Sequence, residues 1–312
     1  MTFRRPPAAR RNRGVALITA MLISAIATMV AANLAWDNAL DVRRTMVMLA
    51  RDQAVQVALG AESWILSILR QDLQNSQTDH LGEIWASELP GLPIEGGEVF
   101  GAIEDLQGRF NVNNLVDNEG RVDEASLEQF RRLLTALQID PRLAGIVADW
   151  IDSDQNASFP DGAEDPIYTG MIPAYRTANQ TLITVSELAA IEGMDRATFR
   201  ALEPHLAALP GRTAINANTA TWAVLQSLDE NMTTSDVEGL IQEREGAGFN
   251  DIETSFASLV TPDVLNRLES STQFFRLKVI VRIDTVRITL YSVMQRSQNG
   301  TVTPILRSFG TS

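Results

Sequence analysis

The 312-residue sequence contains no cysteine. This excludes disulfides, thiol nucleophiles and cysteine-based zinc sites. Histidine is nearly as scarce: His80 and His205 stand far apart, without metal-ligand spacing. No G-x-S-x-G elbow, H-E-x-x-H helix or G-x-x-x-x-G-K-[ST] phosphate loop occurs, so the sequence offers no catalytic constellation. Basic charge is also short, with 26 basic against 39 acidic residues and a net charge of −13. Five of those arginines (Arg4, Arg5, Arg10, Arg11 and Arg13) crowd into residues 1–14. The rest of the chain holds 21 basic and 39 acidic residues, a net of −18. A body that acidic repels phosphate backbones and anionic lipid surfaces, and attracts divalent cations or basic partner surfaces.

What is present begins with an apolar run. Val15 to Trp36 carries no charge over 22 residues. As a helix it spans about 33 Å, enough for a bilayer core. The basic flank places residues 1–14 in the cytoplasm and the remainder in the periplasm. A cleaved secretory signal and a plain membrane anchor are two readings of this segment. A third rests on Gly14, which lies between the basic leader and the apolar run, an arrangement that resembles a prepilin. Cleavage after Gly14 would leave Val15 as the new N-terminus.

From Asp37 to about Leu73 there is no proline, and the only glycine is Gly60. Ala50, Ala54, Val57, Ala61, Trp64, Ile65 and Ile68 recur mostly at three- and four-residue steps. Arg51, Asp52, Gln56, Glu62 and Arg70 fall largely between them. This pattern predicts an amphipathic helix continuous with the apolar one, like the spine helix of pilins. The fifth residue after the predicted cleavage point is normally glutamate in pilins; here it is Thr19. A carboxylate in an apolar bundle is costly unless paired. A subunit at a filament end has no neighbouring N-terminal amine to neutralise, so loss of the glutamate suits a tip subunit.

A Gly/Pro-rich stretch (Pro90, Gly91, Pro93, Gly96, Gly97) precedes a strand candidate at Val99 to Ile103. Alternation over Arg276–Asp284 and Val286–Met294, then the Asn299-Gly300 turn before Val302 to Leu306, predicts a three-stranded C-terminal meander. Residues 117–269 read helical, at Glu124–Leu137, Pro141–Ile151, Glu187–Ile191, Ala197–Leu206, Thr219–Leu228, Asp236–Glu243 and Asp263–Glu269. That span holds ten arginines, no lysine and 26 acids, a net of −16.

Two constellations stand out. Asp149, Asp152, Asp154, Asp161, Glu164 and Asp165 place six carboxylates within 17 residues, in a loop with Pro160 and Gly162. Hard oxygen ligands on a loop suit calcium, although the spacing is not that of an EF-hand. A solvated acidic loop is the bland alternative, and a carboxylate pair for glycoside hydrolysis a remote one. Ile215-Asn216-Ala217-Asn218-Thr219-Ala220, followed by Leu240, Arg244 and Gly248, resembles helix-hairpin-helix modules of DNA receptors. Its hairpin, Leu228 to Met232, lacks the glycine that phosphate binding needs and carries two acids. An earlier copy spans Ser186–Leu209, with Gly193 in its turn.

The ordered combination of these pieces resembles the type II secretion minor pseudopilin K family. The matching segments are Arg13–Leu17, Thr19, Trp64 to Leu73, Asp105–Leu115, Asp149–Asp154, Gly162–Asp165, Tyr175–Asn179, Ser186–Leu188 and Ile215–Ala220. The resemblance implies an α+β, type IV pilin-like fold: a long N-terminal spine helix and a small antiparallel sheet, with a large all-α insertion of degenerate helix-hairpin-helix/SAM-like units. The corresponding boundaries are leader 1–14, transmembrane half 15–36, periplasmic half 37–75, head 76–116 and 270–312, and insertion 117–269. It implies a non-enzymatic subunit capping the pseudopilus tip and helping to initiate its assembly, in the inner membrane with a periplasmic head. Implied partners are minor pseudopilins I and J, the major pseudopilin, prepilin peptidase, the inner-membrane assembly platform and secreted proteins, with no nucleic acid. It also implies a structural calcium ion, carried here onto Asp152, Asp154, Glu164 and Asp165. The competing functions are a DNA-uptake minor pilin and a membrane-anchored hydrolase.

Overall fold

The computed structural model describes residues 13–310. The expected leader therefore lies outside the described residues up to residue 12. Helix α1 (Arg13–Asn75) runs 63 residues without interruption, about 95 Å at 1.5 Å per residue. Its first part is the one helix among the described residues long and apolar enough to cross a membrane. Thr19 sits there with its hydroxyl donating to the carbonyls of Val15 (3.1 Å) and Ala16 (3.0 Å). Its polar group is thus satisfied within the helix, which a glutamate could not achieve.

Beyond α1 come β1 (Leu89–Ile94) and β2 (Gly97–Asp105). The helical unit follows, with β3 (Phe110–Asn111), α2 (Glu124–Ala136), α3 (Leu143–Ile151), α4 (Asp165–Tyr168) and α5 (Arg196–Leu202). It continues through β4 (Leu206–Ala207), β5 (Ile215–Asn216), α6 (Trp222–Ser227) and α7 (Thr234–Glu243). It closes with α8 (Ile252–Phe256), α9 (Pro262–Leu265) and β6 (Leu268–Glu269). The chain ends in β7 (Phe274–Ile283), β8 (Val286–Arg296) and β9 (Val302–Phe309), the expected meander.

The antiparallel sheet has the order β1-β2-β7-β8-β9. Alternation along β7 and β8 turns Leu277, Val279, Val281, Leu290 and Met294 onto one face, where α1 packs with Ala54, Ala58, Ile65 and Leu69. Leu69 is fully buried, and its truncation to alanine costs about 3 kcal/mol. Trp64, part of the expected apolar stripe, stays half-exposed. Glu62, expected on the polar side, is buried. Burial is possible because Arg307 Nη2 lies 2.8 Å from Glu62 Oε2 and Ser292 Oγ donates to Oε1. This pair joins the spine to β8 and β9.

The Pro/Gly-rich stretch, read from the sequence only as preceding a strand, itself contributes most of β1. Strand β1 is at the edge of the sheet, where a missing proline N–H costs no ladder bond. Asp105 at the end of β2 pairs with Phe275 at the start of β7. The whole helical unit is therefore a connection between two neighbouring strands. Its core is separate from that of the head. Phe110, Val112, Leu115 and Val116 pack into this second core, although the sequence boundary places them in the head. The unit is not strictly all-α. Its β3 and β4 form one short parallel pair, and its β5 and β6 another. The expected helix at Asp263–Glu269 stops early because Leu268 and Glu269 pair with Ile215 and Asn216.

Candidate functional site

The acidic stretch folds where α3 ends. Asp152 caps the C-terminus of α3, and the chain turns through residues 153–164 before α4. Gly162 allows that turn to close, because a Cβ there would fall 2.1 Å from Asp149 Oδ2 and 2.3 Å from Ser158 N. The result brings together one carboxylate oxygen each of Asp152, Asp154 and Glu164, all within 4.8 Å of one another. Asp152 and Glu164 are buried; Asp154 is exposed. Asp149 is fully buried beside them, with Oδ2 accepting from Ser158 N–H at 2.9 Å. Asn179, with φ of 46°, donates to the Asp154 carbonyl.

Asp165 faces elsewhere. Its Oδ1 accepts from Thr177 N–H at 3.1 Å, and its Oδ2 lies 3.7 Å from Arg176 Nε. Thr177 Oγ1 also reaches Glu164 Oε2 at 2.8 Å, so Asp165 supports the cage through Thr177 rather than entering it. Asp161 is absent from the cage as well. Of the four residues carried over from the sequence, Asp152, Asp154 and Glu164 converge and Asp165 does not; Asp149 and Asn179 stand beside the three.

The electrostatics are those of an uncompensated anion cluster. Burial, then the charges of Asp154, Asp149 and Glu164, push Asp152 up to about 7. Burial likewise raises Asp149 and Glu164. Among the described residues, Asp149 Oδ1, Asp152 Oδ1, Glu164 Oε1 and Asn179 Oδ1 are buried acceptors without a hydrogen-bond donor. Buried acceptors are almost always satisfied. Four together, three of them carboxylate oxygens, form a donor set that could hold a cation. Oxygen-only donors of this hardness fit calcium better than zinc or copper.

The second motif has a different role. Asn216 Nδ2 donates to Asp105 Oδ2 (2.7 Å) and to the Asp79 carbonyl (3.0 Å). Thr219 Oγ1 donates to the same Asp105 oxygen at 2.6 Å, and Gln107 N–H donates to Asp105 Oδ1 at 2.7 Å. A Cβ on Gly108 would meet Thr219 at 2.6 Å. The Asp105–Leu115 and Ile215–Ala220 segments are thus partners in one clasp between sheet and helical unit. Their polar groups are consumed in it and face no phosphate. The Leu228–Met232 turn is closed by Met232 N–H to the Asp229 carbonyl, with Asn231 N–H bonded to Asp229 Oδ1.

Comparison with known proteins agrees with this architecture. Residues 108–211 and 215–270 match two models described as type II secretion system (T2SS), protein K. The type II secretion system protein K of Pseudomonas aeruginosa is 35% identical, over 96% of this chain and 94% of that protein. That of Pectobacterium carotovorum is 35% identical, over 88% and 89%. A solved structure, the GspK-GspI-GspJ complex from enterotoxigenic Escherichia coli, contains a chain that aligns with a TM-score of 0.76 at 25% identity. It covers 86% of this chain and 100% of its own. With its spine helix, five-stranded head and clasped helical unit, the chain belongs to the type II secretion system protein K family.

Proposed function

We propose that this chain is a minor pseudopilin that caps the pseudopilus tip, helps to initiate assembly and joins minor pseudopilins I and J. The observation that carries this reading is the position of the helical unit between paired strands β2 and β7. Pilin-like subunits stack through equal heads around a bundle of spine helices. A unit of this size rooted in the sheet blocks a subunit above it, so the end of the filament accommodates it best. Thr19 supports the same place, since its hydroxyl needs no neighbouring amine. The aligned structure is a complex of GspK with GspI and GspJ, which supports those partners here.

The remaining steps follow from this reading. Prepilin peptidase cuts after Gly14, Val15 becomes the methylated N-terminus, and α1 anchors the chain in the inner membrane with the head in the periplasm. The assembly platform then draws it up with the major pseudopilin, and the exposed tip meets secreted proteins. The pair of hairpins around Gly193 and Leu228–Met232 are degenerate helix-hairpin-helix/SAM-like units kept for packing. A calcium ion bound by Asp152, Asp154 and Glu164, with Asp149 and Asn179 beside them, holds the 149–179 loop. Here the ion supplies charge compensation, and the chain performs no catalysis.

The test is immunogold labelling of assembled pseudopili, combined with the N-terminal mass of the chain with and without its peptidase. Label confined to one filament end, on a chain starting at methylated Val15, is the expected result. Label along the filament overturns the tip reading; an uncut chain overturns the pseudopilin reading itself.

A further inference from the structure

A second acidic group lies where spine, head and helical unit meet, about a junction rather than in the 149–179 loop. Asp72 is in the last turn of α1, and Asp79 and Glu83 follow on the segment after it. One oxygen of each lies within 4.8 Å of the others. Asp79 is 1% exposed, and its Oδ2 accepts from Thr272 N–H at 2.7 Å and from Arg296 Nη2. Its Oδ1 is buried and, among the described residues, receives no hydrogen bond.

The nearby cation does not balance the group. Arg296 is buried and already bonded to Asp72 Oδ2 (3.1 Å), Asp79 Oδ2 and the Thr272 carbonyl (2.9 Å). His80 Nδ1 accepts from Gly82 N–H at 3.1 Å, and its Nε2 stands 3.9 Å from Glu83 Oε1, longer than a hydrogen bond. Three carboxylates against one guanidinium leave two negative charges in a largely dry site. The C-terminal end of α1 adds its own partial negative charge. Glu83 Oε2 is held by Trp85 Nε1 (2.6 Å) and His80 N–H (3.1 Å), which fixes the carboxylate in place.

We propose that Asp72, Asp79 and Glu83 form a second divalent-cation site, for calcium, that locks the end of the spine helix to the base of the helical unit. The charge of the ion matches the deficit, and hard oxygen donors select calcium over softer metals. Asp79 Oδ1 is the buried acceptor the ion satisfies. The ion acts at a junction. The Asp79 carbonyl accepts from Asn216 Nδ2, and Asp79 N–H donates to the Ser270 carbonyl at 2.8 Å. Gly82 lies against Gly246 so closely that a Cβ would fall 1.9 Å from its carbonyl oxygen. Fixing this segment therefore fixes the spine, the clasp and the α7–α8 loop together. The site stands apart from the pseudopilin assignment and from the 149–179 cage.

Equilibrium dialysis of the full chain in detergent, with radiolabelled calcium up to about 1 mM, the range of extracellular modules, tests the site. The isosteric Asp72→Asn/Glu83→Gln variant keeps acceptors for Arg296 and Trp85, and it should bind one ion fewer than wild type. Asp152→Asn/Glu164→Gln should still bind an ion, and should show terbium emission excited through Trp85 that calcium displaces and Trp85→Phe abolishes. Equal calcium binding by wild type and Asp72→Asn/Glu83→Gln overturns the proposal. Should that variant fail to fold, terbium emission unaffected by Trp85→Phe overturns it independently.

Discussion

Asp105 and Asp152 are both buried carboxylates at the margins of the helical unit, and burial pushes both upward. Their surroundings differ. Asp105 has Gln107 N–H on one oxygen and the side chains of Asn216 and Thr219 on the other. Asp152 has a buried oxygen with no donor among the described residues, and three acids nearby that raise it further. The first is closed by its own chain and holds two domains together. The second keeps an oxygen without a donor among the described residues, which the proposed ion would satisfy. The comparison shows that burial of an acid is not itself a functional signal. The accounting of its lone pairs separates a structural carboxylate from a ligand.

Four substitutions or conditions sharpen this contrast. The largest effect is expected from Asp105→Ala, which strands three donors in the clasp. It should cost about 3 kcal/mol or more, at about 1–3 kcal/mol per unsatisfied buried group, equally with and without calcium, as read by urea denaturation. Removing the cage with Asp152→Asn/Glu164→Gln should abolish the cage's share of the calcium-dependent stability. That share is about 2.7 kcal/mol when calcium exceeds its Kd a hundredfold, and a melting scan with and without chelator measures it. A double variant equally stabilised by calcium would break the comparison, unless the Asp72 group supplies the remainder. The Asp72→Asn/Glu83→Gln background separates the two.

The third effect depends on pH. Asp152 is raised from 3.8 to about 7 in the folded chain. The native state therefore holds more protons than the unfolded one between these values, and stability falls as pH rises. Calcium-free protein should lose stability from about pH 4 to about pH 7, and calcium should flatten that slope. A rising slope would show that the cage is already compensated. The smallest effect belongs to Asp165→Ala. Losing its bonds to Thr177 should cost about 1 kcal/mol and leave calcium binding by dialysis nearly intact. Loss of binding as complete as in the Asp152 and Glu164 variant would place Asp165 in the cage after all.

Legibility followed the range of the interactions. The continuous α1, the β7–β9 meander and the α2 and α7 helices could be read in advance, because period 3.6 and period 2 record which face each residue turns to a core. The prolines of β1 hid a strand that only its edge position permits. Glu62 looked like a polar-face residue because its partners, Ser292 and Arg307, lie more than two hundred residues away. The Asn216–Ala220 motif could be seen as a motif, but its partner Asp105 could not.

The sequence by itself determined a membrane-length apolar helix flowing into an amphipathic one, a C-terminal sheet, an acidic helical middle and the crowding of six carboxylates between residues 149 and 165. Local periodicity and composition suffice for such features, since each depends on neighbours within a few turns or strands. Tertiary structure decided which oxygens converge and which are satisfied. It brought Asp149, Asp152, Asp154 and Glu164 together while turning Asp165 to Thr177, and it buried Glu62 against Arg307. It also set Asp72, Asp79 and Glu83 around one point beside Arg296. The Glu62–Arg307 pair and the approach of Arg296 to Asp72 depend on where the chain returns after more than two hundred residues, whereas the cage depends on how the turn through 153–164 closes on Gly162 against Asp149, which spacing alone does not record.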